Sequence, residues 1–230
     1  MDLKLRHAAP ADYRQTEWIT REAFWNQYAP GCVEHYLLHI MRGSPAFVHG
    51  LDLAAFLGEE LVGSVVFVRG TIQGDDGRDH PVLTLGPISV LPRHQGRGVG
   101  GALITHAKAL AREQGFGAIL LCGDPDYYSR HGFVPAESLG IRQADGMYAA
   151  ALQACELYDG ALAGASGRYC EDSVYQVDEG ETEAFDRTFP PKEKVSGTPG
   201  QKRLLELAAM VRPGEGPGLG QPSHSGRSCP

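Results

Sequence analysis

The chain has 230 residues, of which 42% are hydrophobic and 21% charged, and its formal net charge is -7. That length supports one good core with an extension, and the negative balance argues against a protein that works by neutralising nucleic-acid phosphates, which takes clustered Lys and Arg. The start, MDLKLRHAAPADY, has no apolar run of signal-peptide length, and no later stretch approaches the roughly 18 apolar residues of a membrane span. Neither nucleic acid nor membrane is therefore expected as a partner, and the expected location is cytoplasmic.

In chain order, residues 3–7 alternate apolar and polar and predict a strand. Pro10 and Asp12 suit the first turn of a helix running to about Tyr28, where Pro30 and Gly31 break it. A second helix is predicted over 33–42, stopped by Gly43. Two apolar, β-branched runs, 52–57 and 61–68, flank the turn Gly58-Glu59-Glu60 and predict a hairpin. A polar loop, 74–79, leads to a strand over 82–90, so three consecutive strands meander with no helices between them. Val99, Leu103, Ala107 and Leu110 mark one face of a helix ending at Gly115. The apolar run 118–122 then reads as a strand covered on both faces. A strand–helix–strand unit places its strands parallel, so the expected fold is α/β (α+β), with a mixed, mostly antiparallel central sheet and helices on both faces. Further strands are expected over 147–152 and within 167–177, with helices over 179–186 and 201–211. The Gly-, Pro- and Ser-rich stretch 212–230 is expected to lack fixed structure. The expected organisation is a catalytic domain over 1–152, an extension over 153–211 packed on it, and that tail.

The five cysteines, Cys32, Cys122, Cys155, Cys170 and Cys229, are scattered and never in C-x-x-C spacing, which predicts reduced thiols. The nine histidines lack ligand spacing as well, and His35 and His39, four apart, have no recognisable acidic third ligand, so no metal is expected.

The chemistry concentrates in 88–101. Gln95-Gly96-Arg97-Gly98-Val99-Gly100-Gly101 sits between a strand and an amphipathic helix, where unpaired backbone NH groups and the positive end of the helix dipole converge on an anion. Arg93 and Arg97 can add charge-assisted hydrogen bonds. A tight turn that only lets the helix pack on the sheet is the plain structural alternative. Gly96, Gly98 and Gly101 also satisfy G-x-G-x-x-G, with Asp124 about twenty residues on, so an NAD(P)- or flavin-dependent oxidoreductase is a competing reading. Against it, residues 91–95 separate the strand from the glycines, and the strands before them are not βαβ units. No Gly-Lys-Ser or Gly-Lys-Thr follows, which excludes a nucleotide P-loop. Upstream, Gly86-Pro87 interrupts a strand; Pro87 gives no NH to a ladder and Gly86 permits a bulge, so backbone groups of Ile88, Ser89 and Val90 can be left free for a ligand, unless this is an ordinary irregularity.

These residues resemble the GNAT superfamily of N-acetyltransferases, whose signature is a bulged strand followed by Q/R-x-x-G-x-G/A opening a helix. Tyr128-Ser129-Arg130-His131-Gly132-Phe133 is similar to the family's Y-x-x-x-G-F segment. Gly123-Asp124-Pro125 followed by a Tyr pair is similar to an uncharacterised bacterial branch of predicted acetyltransferases. The resemblance covers roughly residues 3–152. It implies that acetyl-CoA is a co-substrate, its pyrophosphate on the amides of Gln95, Gly96, Arg97, Gly98, Val99, Gly100 and Gly101 and its pantetheine arm against Ile88, Ser89 and Val90, with an NH near Val90 polarising the thioester. Direct attack by the primary amine of a small molecule or protein is implied, with Tyr128 as general acid, since a phenol is protonated at neutral pH. Packing is the alternative role for Tyr128. Asp124 can bind the acceptor, act as base or simply cap a helix. The strand over 82–90 has no Glu or Asp, which departs from family members that carry a base there; Glu17, Glu22, Glu34, His35 or a water relay are the candidates. Trp18, Phe24, Trp25 and Tyr28 can line an acceptor pocket or belong to the core. The missing strand carboxylate also motivates a non-catalytic CoA-binding module. A homodimer is compatible with the chain, and the acceptor is left open.

Overall fold

In a computed structural model, residues 2–214 are described. Strand β1 (Leu3–His7) pairs antiparallel with β2 (Leu53–Leu57), and the helices α1 (Tyr13–Phe24) and α2 (Glu34–Met41) lie between them in sequence. The turn at Gly58 returns the chain as β3 (Glu60–Gly74), and β4 (Asp79–Val90) runs back along it, so the meander is antiparallel throughout. Both β3 and β4 extend beyond the apolar stretches that predicted them, because their far ends, rich in polar residues, form the ladder from Thr71–Pro81 to Gln73–Asp79.

Burial on both sides explains the continuous apolar runs. Val65 and Phe67 of β3 pack with Leu103, Ile104 and Ala107 of α3 (Val99–Glu113), whereas Val66 and Val68 pack with Leu37, Leu38 and Met41 of α2. Alternate residues of one strand thus serve two helical layers. Leu103 and Ile104 are almost fully buried, which stabilises the docking of α3 by roughly 2 kcal/mol for each side chain.

After α3 come β5 (Ala118–Cys122), the single-turn α4 (Pro125–Tyr128), and short strands β6 (Val134–Pro135), β7 (Ile141–Arg142) and β8 (Met147–Ala149). Strand β9 (Leu152–Glu156) pairs antiparallel with β5 and β6. The stretch predicted as one strand over 147–152 is two: β8 leaves the main sheet and pairs with β11 (Val211–Pro213) instead. Among the described residues the main sheet runs β1-β2-β3-β4-β5-β9-β6, with β10 (Gly167–Cys170) joined to β3 and β7. The sheet is mixed and mostly antiparallel, with helices on both faces.

Two expectations about the C-terminal part need correction. The boundary set after residue 152 cuts β9, and β10 of the extension hydrogen-bonds to β3, so sheet pairing continues across it. The tail expected to begin unstructured at 212 starts with Arg212 and Pro213 in β11, where backbone pairing with Tyr148 and Met147 compensates for the poor composition. The remainder, 215–230, lies outside the described residues. Helices α5 (Glu179–Asp186) and α6 (Pro199–Ala209) form as predicted, the latter starting two residues early on the Thr198 cap and Pro199. Among the described residues Cys32, Cys122 and Cys155 are free, while Cys170 is disulfide-bonded, against the expectation of reduced thiols. No described helix is long and apolar enough to cross a membrane.

The feature that positions a site is where β4 and β5 part. They run parallel, but their pairing is confined to Leu83 with Ile119 and Thr84 with Leu120. Beyond it β4 follows β3 to Val90 and β5 follows β9 to Cys122. A wedge therefore opens between residues 85–90 and 121–122.

Candidate active site

One wall of the wedge is the interrupted strand. Opposite Val65 and Phe67 of β3 stand Ile88 and Leu85, so β4 carries one residue more than its partner, and the extra length is at Gly86-Pro87. Gly86 has φ +149°, a conformation that an L side chain rarely adopts. Past the bulge, Ser89 is turned inward, its hydroxyl 3.0 Å from Thr20 Oγ1 and 3.2 Å from Ser64 Oγ, which docks α1 onto the strand. Only its backbone is therefore available to a ligand. Ile88 and Val90 are half-buried against the α3-side core, and the Val90 carbonyl accepts a hydrogen bond from Gln95 Nε2 at 3.0 Å.

At the end of that wall α3 begins. Gly98, with φ +85°, is its N-cap, and no side chain caps the helix. The first helical hydrogen bond runs from Ala102 N to Gly98 O, so the amides of Val99, Gly100 and Gly101 are the unpaired donors of a helix start, where the dipole also favours an anion. Arg97 is exposed beside them. Arg93 is held by Glu60, which also lies 3.2 Å from His94 Nε2, so Arg93 is already paired.

The second motif packs directly on the first. A Cβ placed on Gly100 would lie 2.7 Å from the Tyr127 hydroxyl, and one on Gly101 would lie 2.9 Å from His131 Cε1. Both glycines thus let the 127–131 segment close over the first turn of α3. Tyr128, the last residue of α4, is edge-to-face with Tyr127 (centroids 5.0 Å apart) and Phe133 (5.5 Å). Its ring covers Gly123, where a Cβ would come within 2.9 Å of Tyr128 Cδ2. Burial pushes the phenol well above its ordinary value, with Tyr28 and Tyr127 adding to the effect, so it holds its proton at neutral pH.

The acids and the histidine proposed as bases are each engaged. Asp124 caps α4 through Asp126 N at 3.0 Å and is gripped by Arg203 of α6 at 2.9 and 3.0 Å, which holds its carboxyl below the ordinary value. Glu22 pairs with Lys192 at 2.9 Å. Glu17 lies 2.8 Å from His39 Nδ1 and 3.6 Å from Arg14. Glu34 accepts the Val33 amide at the start of α2 and is raised by burial. His35 is fully buried, 3.3 Å from Cys32 Sγ and 3.2 Å from Asp186; burial lowers it to about 4, so it is neutral near pH 7. Trp25, a candidate pocket residue, is buried with Nε1 bonded to the Glu193 carbonyl. Their partners Arg203, Lys192, Asp186 and Glu193 all come from the extension, which runs across α1 to the end of β5.

The sequence reading also missed a group on the α2 side of the wedge. Tyr169 of β10 hydrogen-bonds Thr84 of β4 at 2.5 Å, and Tyr175 lies over the bulge, its hydroxyl 3.5 Å from where a Cβ of Gly86 would be. Glu171 follows β10 on the same segment, and burial raises its carboxyl above the ordinary value. Cys122 is exposed overall, while desolvation of its sulfur pushes the thiol up to about 12, so it is neutral at pH 7. No local signal marked these residues, since Glu171 and Tyr175 follow an ordinary short strand. Among the described residues no group of three or more His, Cys, Asp or Glu side chains could hold a metal ion.

The comparisons with known proteins agree with this geometry. The model of the acetyltransferase (GNAT) family matches residues 11–133, which include the bulge, the α3 N-terminus and Tyr128. The uncharacterised N-acetyltransferase YhbS of Escherichia coli is 27% identical over 163 residues, 71% of this chain and 92% of that protein. YjhQ of the same organism, also an uncharacterised N-acetyltransferase, is 38% identical over 86 residues, 37% of this chain and 46% of its own length. The crystal structure of YhbS with CoA superposes with a TM-score of 0.67 at 25% identity, covering 76% of this chain and 92% of that one. A GNAT acetyltransferase of Brucella melitensis with acetyl-CoA gives 0.58 at 25% identity, covering 75% and 97%. The competing oxidoreductase reading finds no support, because the strands before the glycines form a meander and the matching folds are acetyltransferases. An interrupted β4, a wedge against β5, an uncapped α3 start and a family match over more than half its length place this chain in the GNAT acetyltransferase family.

Proposed function

We propose that the protein transfers the acetyl group of acetyl-CoA to a primary amine by direct attack within a ternary complex. The observation that carries this reading is the wedge, which joins an unpaired edge of β4 to the uncapped start of α3. The free amides of Val99, Gly100 and Gly101, with those of Gln95, Gly96, Arg97 and Gly98, form a cradle for a pyrophosphate, and Arg97 adds charge. The unpaired edge over Ile88, Ser89 and Val90 offers backbone groups to an amide-bearing arm, and an NH near Val90 can polarise a carbonyl at the apex. The Tyr128 phenol, protonated and at the end of α4, can donate to a departing sulfur. A small-molecule or protein amine fits this machinery equally, and a homodimer is compatible with it.

A thermal shift assay separates this reading from the dinucleotide one. Acetyl-CoA at about 100 times its Kd is expected to add about 2.7 kcal/mol of stability, which for a chain of this size raises Tm by about 5–10 °C, while NAD and FAD leave it unchanged. Stabilisation by a dinucleotide without stabilisation by acetyl-CoA would reverse the assignment.

A further inference from the structure

The pairing of β4 with β5 ends at Thr84, and the bulge at Gly86 follows two residues later, so the bulge lies at the apex of the wedge. Two phenols of the extension meet β4 there. Tyr169 hydrogen-bonds the Thr84 hydroxyl. Tyr175 packs its ring on the α2-side cluster that includes Leu37, Leu38 and Met41, and its hydroxyl lies at Gly86. Unlike that of Tyr169, the Tyr175 hydroxyl is buried with no hydrogen-bond partner among the described residues. Its position is fixed by the chain. Tyr175 ends a single 3-10 turn, Ser173–Tyr175, which the Asp172 carboxylate caps by accepting Val174 N at 2.9 Å, and the Tyr175 amide donates to the Asp172 carbonyl at 3.1 Å. A Cβ on Gly86 would stand 3.5 Å from the hydroxyl, so a side chain there would fill the space between phenol and strand. Glycine leaves that space to a ligand. Buried polar groups are almost always paired, and a hydroxyl that its own chain leaves unpaired can be satisfied by a polar atom of a bound molecule. Burial raises the phenol, so it is a donor at neutral pH. In acyl transfer the atom that gains most from such a donor is the carbonyl oxygen, which becomes negative only as the tetrahedral transition state forms.

We infer that the Tyr175 hydroxyl beside Gly86 is a second hydrogen-bond donor to the acetyl oxygen, completing an oxyanion hole with the backbone NH near Val90. The inference rests on the acetyltransferase reading given above. As the nitrogen of the neutral amine bonds to the acetyl carbon, the carbonyl electron pair moves onto the oxygen, which accepts from Tyr175 and from the NH. When the carbon–oxygen double bond re-forms, the carbon–sulfur bond breaks and the sulfur takes the Tyr128 proton. Tyr128 regains a proton from the nitrogen as the amide forms. Tyr175 keeps its own proton throughout, because its part is to hold the developing charge. The C-terminal extension thereby supplies a catalytic group at the bulge.

The test compares Tyr175→Phe with wild type, using acetyl-CoA and a panel of primary alkyl, aryl and polyamine acceptors. Removing one oxyanion donor lowers kcat by about 10²–10³-fold, and with the backbone NH still in place the expected fall is about 10²-fold. Because the interaction belongs to the transition state, kcat and kcat/KM should fall together, with the amine KM and the calorimetric acetyl-CoA affinity within about twofold of wild type. Phe keeps the ring packing and removes a hydroxyl that has no partner, so the unliganded variant should melt no lower than wild type. Three results would overturn the inference. One is a turnover within about threefold of wild type, and another is a Tm lower by more than about 2 °C, which would give the hydroxyl a structural partner. The third is an amine KM raised about tenfold at unchanged kcat, which would place the acceptor instead of the carbonyl oxygen at Tyr175. In all three the wild type still acetylates an amine and the transferase reading stands. Failure of wild type to bind acetyl-CoA would remove both.

Discussion

Replacing Tyr128 by Phe is expected to leave acetyl-CoA binding within about twofold of wild type and to slow CoA release with amines by about 10²–10³-fold. The ring makes the packing contacts, edge-on to Tyr127 and Phe133 and across Gly123, and Phe keeps all of them. What it loses is the phenol hydroxyl at the end of α4, just past β5. Because burial raises the phenol, it stays protonated through the ordinary assay range, and its loss should lower the rate across that range without moving the alkaline limb. Steady-state kinetics with calorimetry on the same preparation distinguishes the roles. Normal turnover would return Tyr128 to a packing role and move the proton donor elsewhere, whereas weakened binding with unchanged kcat would make it a cofactor contact.

The largest effect on stability is expected at Asp186. It holds Arg21 at 2.6 and 3.3 Å and lies 3.2 Å from His35 Nε2, and Arg21 and His35 are only 1% and 0% exposed. Removing the carboxylate leaves a buried guanidinium uncompensated, for which losses of about 3–5 kcal/mol are usual. Asp186 itself is partly open to solvent, with its side chain 22% exposed, so Asp186→Ala should fall at the low end, about 3 kcal/mol, or about 6–12 °C in Tm. Arg21 also stacks over Trp25, with 4.3 Å from guanidinium carbon to ring centroid, and that ring anchors the extension through Glu193. The variant should therefore also loosen the segment that carries Lys192 and Arg203. Proteolysis across 187–203 and a melting curve read both effects; a Tm change below about 2 °C would show that Arg21 finds another partner or solvent.

The difference between what was legible in the sequence and what was not follows the range of the interactions. The α3 cap, the bulge and Tyr128 rest on local rules: a glycine in a left-handed cap, a proline without an NH, and a short helix that presents its last residue. Each could be read from a few adjacent residues, and the strand–helix–strand unit followed from the change of period at Val99. Partnerships across the chain could not. Asp124 and Arg203 are 79 residues apart and Arg21 and Asp186 are 165 apart, so neither pairing leaves a periodic trace. The same is true of Tyr175, whose hydroxyl reaches the Gly86 bulge on the segment after β10, itself paired with the far end of β3. Residues 71–73 of that end fall between the strand predicted over 61–68 and the loop predicted over 74–79, because Thr71 and Gln73 lack the apolar density of the preceding run. Its edge is what brings the extension back to the active-site side. The split of 147–152 was missed for a related reason: β8 and β9 belong to different sheets, and a continuous apolar stretch does not show where a strand changes partner.

The relation between the extension and the core also changes how the missing strand carboxylate is understood. Taken alone, residues 82–90 without Glu or Asp left open both a base elsewhere and a module that only binds CoA; the one acid of β4, Asp79, stands at its far end opposite Gln73. Of the candidate acids, Asp124 and Glu22 are held by Arg203 and Lys192 of the extension, whereas Glu17 is held by His39 and Arg14 and Glu34 by the Val33 amide, so the extension braces two of the four.

The central claim, transfer of an acetyl group to an amine in a ternary complex, is tested most directly by following thiol release and the acetylated product together while both substrates are varied. The account predicts CoA and N-acetyl product in equal amounts, with intersecting double-reciprocal lines; acetyl-CoA binding with no product from any class of primary amine would contradict it and leave a CoA-binding module in its place.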